Sequence, residues 1–105
     1  MRAKAWNNGA HHPSGAGYGL RVLVEDRDRY FSRDWTEIVV DIPEQTETTI
    51  ALSDSFWRAC TELRSAALGL WLRESGRAPW PRGEPPSIGL VHVRGNRFSI
   101  DDNAP

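Results

Sequence analysis

A chain of 105 residues, 39% hydrophobic and 26% charged, suffices for one domain with its own core, and these fractions exclude wholesale disorder. A single cysteine, Cys60, excludes an internal disulfide and a multi-cysteine zinc centre, and the longest apolar run, Ala66 to Leu72, is far short of the roughly 20 residues that span a bilayer. Net charge is −1, so the chain as a whole exerts no strong pull on a polyanion; with no apolar signal-peptide core in Met1-Arg2-Ala3-Lys4-Ala5-Trp6, the expected location is the cytoplasm, with no membrane partner.

In chain order, Lys4 to Trp6 reads as a short first strand and Tyr18 to Val24 as a second, with Leu20, Val22 and Val24 on one face. Glu25 to Phe31 is predicted as a short helix, acidic at its start. Trp35–Ile42 and Glu47–Leu52 are rich in Val, Ile and Thr, and Pro43-Glu44-Gln45-Thr46 between them predicts an antiparallel hairpin. Ser53 or Asp54 is placed to cap one long helix running to Ser75, in which Phe56, Cys60, Leu63, Ala67, Leu70 and Trp71 recur at the spacing of a buried stripe. Gly69 inside that helix implies close packing against a neighbour, since it costs about 1 kcal/mol relative to alanine. Pro79 to Pro86 forms an irregular strap. Ile88–Val93 and Arg97–Ile100 then make a hairpin turning at Gly95-Asn96, and 101–105 is a polar tail expected to fray.

These elements predict one α+β domain over 1–105. Its sheet is mostly antiparallel, curved or partly closed into a barrel, with about six short strands in the order ββαββαββ. The long helix, about 54–75, covers it.

Two segments invite a functional reading. Trp6 to Gly19 holds two of the three histidines and four of the nine glycines between two strands. Asn7, Asn8, His11, His12, Ser14 and Tyr18 are its candidate ligand-binding residues, since polar loops on a rigid scaffold are where binding concentrates. The specific chemistries fail there one by one. Adjacent His11 and His12, even with His92, lack metal-ligand spacing, so no metal site is assigned. Ser14 lacks a nucleophile elbow, and no catalytic residue is assigned. The glycines lead into a strand rather than a helix N-terminus, so no nucleotide cofactor is implied.

The second segment is Pro79-Trp80-Pro81-Arg82-Gly83-Glu84-Pro85-Pro86. Between Thr36 and Phe56 there are five acidic residues and no basic one; from Trp57 to Ile100 seven arginines face three glutamates. Twelve of the thirteen basic residues are arginine, which a GC-rich genome explains without function and which a phosphate-reading surface also explains. Either Trp80 closes the rim of the core, or it is an exposed stacking platform beside Arg77, Arg82, Arg94 and Arg97. Arginines interleaved with an aromatic bind single-stranded nucleic acid by charge and stacking.

Asn7-Asn8-Gly9 leading to Gly17-Tyr18-Gly19-Leu20, with Trp80-Pro81-Arg82-Gly83 before a strand, resembles the DNA-reading pseudobarrel domains attached to some restriction endonucleases. The resemblance covers about a fifth of the chain, in short glycine-rich pieces; the long central helix departs from it, and no residue role is carried over.

The expected function is therefore a small non-catalytic binding module, with nucleic acid as ligand. Its contacts would be Arg77, Trp80, Arg82, Arg94 and Arg97. One alternative is a small-molecule-binding protein or hydrolase-like enzyme whose pocket is lidded by the Asn7–Gly19 loop, its polar residues converging with His92 or Glu62. A third reading is self-association through an aromatic surface.

Overall fold

A computed structural model describes residues 1–103. The chain runs β1 (Arg2–Asn7), β2 (Tyr18–Arg21), α1 (Val24–Tyr30), β3 (Glu37–Asp41), β4 (Thr48–Ala51), α2 (Asp54–Arg58), β5 (Glu62–Arg64), α3 (Ala66–Glu74), β6 (Ser87–Arg94) and β7 (Arg97–Ile100). All seven strands join one sheet in the order β4-β3-β7-β6-β1-β2-β5. Every neighbouring pair is antiparallel except β3 and β7. The end strands β4 and β5 touch, so the sheet is nearly closed.

Alternation builds the core. In β1 Ala3 and Ala5 point inward while Arg2 and Lys4 are exposed. Leu20, Ile38, Val40, Ile50, Leu63, Ile88, Leu90 and Phe98 fill the interior with Phe56 of α2 and with Leu68 and Leu72 of α3. The expected α+β class and curved sheet are present, and both hairpins turn at the expected residues.

The single helix over 54–75 is not formed. It is replaced by α2, the extra strand β5 and α3, which also raises the strand count from six to seven. Two local features interrupt it. Arg58 ends α2, and the amides of Ala59 and Cys60 both donate to the Ser55 carbonyl. Ser65, in extended geometry, then caps α3 by accepting from the Leu68 amide at 3.3 Å. Between them Thr61 donates its hydroxyl to the Val22 carbonyl, and Glu62–Arg64 pairs with β2. Cys60, placed on the buried stripe by helical spacing, lies in this connection and is exposed.

The Gly69 expectation is met by geometry: a Cβ there would lie 2.1 Å from the Gly15 carbonyl oxygen and 2.7 Å from the Tyr18 Cβ. Helix α3 therefore rests directly on the loop joining β1 to β2. Of the polar tail, Asp101 donates its amide to the Gly89 carbonyl and Asp102 pairs with Arg77. Residues 104 and 105 lie outside the described residues. Among the described residues no helix is long and apolar enough to cross a membrane.

Candidate nucleic-acid interface

The β1–β2 loop is a preformed excursion held by its own backbone. Asn8 and His12 donate amides to the carbonyls of Gly17 and Ala16, at 3.0 and 2.9 Å. Asn7 and Asn8 spend their side-chain carbonyls on the amides of Gly9 and Ala10, both at 2.9 Å. His12 Nδ1 accepts from the Ser14 amide at 3.1 Å and lies 3.0 Å from its hydroxyl. Asn7, Asn8, His12 and Ser14 thus build the loop's turns.

His11 and Tyr18 behave differently. Tyr18, 2% exposed, holds its hydroxyl 3.2 Å from His11 Nδ1 and receives a 3.5 Å contact from Arg73 Nη1. Trp80, half-buried, meets the Tyr18 ring edge-on at 5.9 Å. The two segments singled out in the sequence are therefore in contact, through Tyr18.

The residues proposed to converge with the loop go elsewhere. His92 lies against Phe98 at 5.1 Å, with Tyr30 and Trp35 beyond it, and its Nε2 is 2.6 Å from the Gly95 carbonyl oxygen. Glu62 belongs to β5. Among the described residues no group of three His, Cys, Asp or Glu side chains could hold a metal ion. A cleft of about 130 Å³ opens between the β3–β4 turn and the end of α3; Pro43, Glu44, Gln45, Trp71, Glu74 and Ser75 line it, and none of the loop's residues do.

The four arginines grouped with Trp80 do not form one cluster. Arg77 stacks on Trp71 at 4.6 Å and pairs with Asp102. Arg97 donates to Glu47 at 2.6 Å and to Asp41 at 2.8 Å, bonds that raise its pKa further above the usual arginine value. Arg82 is exposed on the strap. Arg94 is exposed at the opposite end of β6, a strand of eight residues or about 23 Å. The large exposed apolar residues are Leu23, Val24, Leu70 and Val93, none of them aromatic.

A basic surface exists elsewhere, on the outward face of β1, β2 and β5. One register row runs Lys4–Arg21–Glu62 and the next Trp6–Gly19–Arg64. Gly19 gives the second row an empty middle position, and a Cβ there would come within 2.3 Å of the Leu63 carbonyl oxygen. Arg64 reaches across the gap and lies over the half-buried Trp6 ring at 5.1 Å. Glu62, its side chain 5% exposed, lies between Arg21 at 3.4 Å and Arg64 at 3.7 Å. Arg2 extends the face toward β6, donating to the Ser87 hydroxyl and carbonyl, both at 3.0 Å. Among the described residues the face carries Arg2, Lys4, Arg21 and Arg64, the Trp6 ring and the nearly covered Glu62 carboxylate.

Sequence reading missed this surface because it put Arg64 on a helix and began the first strand at Lys4. The signal was present: Arg2, Lys4 and Trp6 alternate with Ala3 and Ala5 at the period of a strand. Fold and surface together define a small α+β domain with a nearly closed mixed sheet and a basic outer face. Comparison with protein-family models, curated proteins and solved structures finds no match to this chain.

Proposed function

We propose that this chain is a non-catalytic module that binds single-stranded nucleic acid on the outward face of β1, β2 and β5. The observation that carries the reading is the Trp6–Arg64 stack flanked by Lys4, Arg21 and Arg2. Cations spaced along a sheet follow a phosphate backbone, and an aromatic ring among them accepts a base without reading its identity. Arg64 has two states to exchange between: over Trp6 in the free protein, and on a phosphate when a base takes its place on the ring. Glu62 pairs with Arg21 at 3.4 Å and with Arg64 at 3.7 Å on the same face.

This reading keeps the ligand class expected from the sequence and changes the contacts. Arg97 is matched by two carboxylates, and Arg94 and Arg77 lie on separate parts of the molecule. It places the protein in the cytoplasm, consistent with an exposed cysteine that has no second cysteine to pair with.

Fluorescence anisotropy with labelled oligothymidylate and with a duplex of the same length tests the proposal at low salt. Binding of the single strand in preference to duplex is expected, with tryptophan quenching. Replacing Lys4 and Arg64 together by glutamine should weaken it by about tenfold or more, the loss of two charge-assisted contacts. Absence of affinity for both ligands in the folded protein would refute the reading.

A further inference from the structure

The contacts around Tyr18 carry an inference independent of the sheet face. Arginine can only donate, so the Tyr18 hydroxyl oxygen accepts from Arg73 Nη1 at 3.5 Å. The one acceptor for the hydroxyl's own proton among its contacts is His11 Nδ1, at 3.2 Å. When the hydroxyl donates to Nδ1, a neutral His11 carries its N–H on Nε2. Arg73 is half-buried and takes no part in the ion pairs among the described residues, so its charge is unmatched by a carboxylate. Trp80 closes the group from the strap, its ring edge-on to Tyr18.

A half-buried guanidinium with no carboxylate partner among the described residues, an imidazole and an indole surround one tyrosine, a group rich in donors and without an anion. That set calls for an oxyanion. We propose that His11, Arg73 and Trp80, organised by the Tyr18 hydroxyl, form a site for a phosphate monoester bearing a base. Arg73 and the His11 Nε2–H hold the phosphate oxygens, and Trp80 stacks on the attached base. Tyr18 is a positioning residue: it fixes the His11 tautomer and the direction of the guanidinium. Asn7, Asn8 and His12 bond backbone amides of the loop, whereas His11 bonds Tyr18.

The same chemistry comes from a free nucleotide or from the phosphorylated 5′ end of a strand, and the test separates them. Amide, indole and imidazole NMR signals are followed during titration with inorganic phosphate, adenosine, adenosine 5′-monophosphate, and a short oligonucleotide with and without a 5′-phosphate. All titrations use both the native protein and the Arg64→Gln variant, in which the sheet face is weakened. Saturable shifts at His11 and the Trp80 indole are expected with phosphate, tighter with the monophosphate and absent with adenosine. Tighter binding of the 5′-phosphorylated strand than of the free nucleotide in the Arg64→Gln background identifies the strand end; equal binding identifies the nucleotide. Arg73→Gln should weaken the monophosphate by about tenfold or more. If that variant does not fold, His11→Ala on the exposed loop should give a smaller loss of the same kind. The proposal fails if folded native protein shows no saturable shift at these residues, or if the variants respond as the native protein does. Saturable shifts in native protein that binds no oligothymidylate would leave this site standing and remove the sheet-face reading.

Discussion

The guanidinium of Arg27 donates from Nη1 to the carbonyl oxygens of Phe56 and Trp57, both at 3.1 Å, and from Nε to Asp28 at 3.0 Å. The residue is 6% exposed, a rare setting for arginine. Two carbonyls at the end of α2 would otherwise have no partner, because a five-residue helix leaves its last carbonyls free. Trp57 is flanked on this side by Arg27 and also carries Arg33 at 4.9 Å over its ring. Arg27→Met fills similar volume yet leaves both carbonyls unpaired, at about 1–3 kcal/mol for each buried orphan. A loss of about 2–6 kcal/mol in urea denaturation is expected, with an unchanged slope. Arg27→Lys should recover only part of it, since a point charge does not reproduce the fork. Nothing in the sequence marks Arg27 as buried: it is one of five charged residues in a seven-residue helix, and its acceptors lie about thirty positions away.

At the scale of elements, the stretch from Ser53 to Ser75 shows where local pattern stops deciding. Of the predicted stripe, Phe56, Leu63 and Trp71 are buried and Ala67 is partly buried, whereas Cys60 and Leu70 are exposed. Leu63, however, is buried as the inward residue of a strand, with Thr61 buried two positions before it. Both patterns fit the same apolar positions, and the choice was made by β2, whose outer edge gains a partner from β5. That partnership is non-local and invisible in a window of the chain; the strand-forming Thr61 and the capping Ser65 were its visible traces. The hairpins, by contrast, are local, and their turn residues revealed them. Gly69 sets two effects of known size against each other. Gly69→Ala in α3 gains about 1 kcal/mol of helix propensity, but its Cβ would fall 2.1 Å from the Gly15 carbonyl oxygen. Relief requires moving the loop or the helix, and overpacking costs about 1–3 kcal/mol or more. Net destabilisation is expected, read as a lower thermal midpoint together with amide shifts in residues 8–17. A rise in midpoint would show that α3 and the loop are not in close contact.

Across the whole molecule, charge is sorted by strand. Glu37, Asp41 and Glu47 lie on or beside β3 and β4, where Arg97 pairs with Asp41 and Glu47, while Arg2, Lys4, Arg21 and Arg64 gather on β1, β2 and β5. A net charge of −1 therefore conceals a basic face, and the sequence's acidic block between Thr36 and Phe56 is its counterpart on the other sheet edge. This arrangement makes the salt dependence of binding a measure of which cations act. On a single strand, log K falls with log salt by about 0.7 per phosphate neutralised, so the slope counts the cations engaged. Arg64→Gln should lower the magnitude of the slope by about 0.7 as well as the affinity, because one ion is no longer released. Trp6→Leu should weaken binding by a stacking contribution of about 1–3 kcal/mol while leaving the slope where it was. Arg97→Gln should change neither, since its charge is already matched by Asp41 and Glu47. Anisotropy titrations of the four proteins at several salt concentrations resolve these cases. If Arg97→Gln alters the slope as much as Arg64→Gln, the ligand reads the protein's overall charge and no face has been selected.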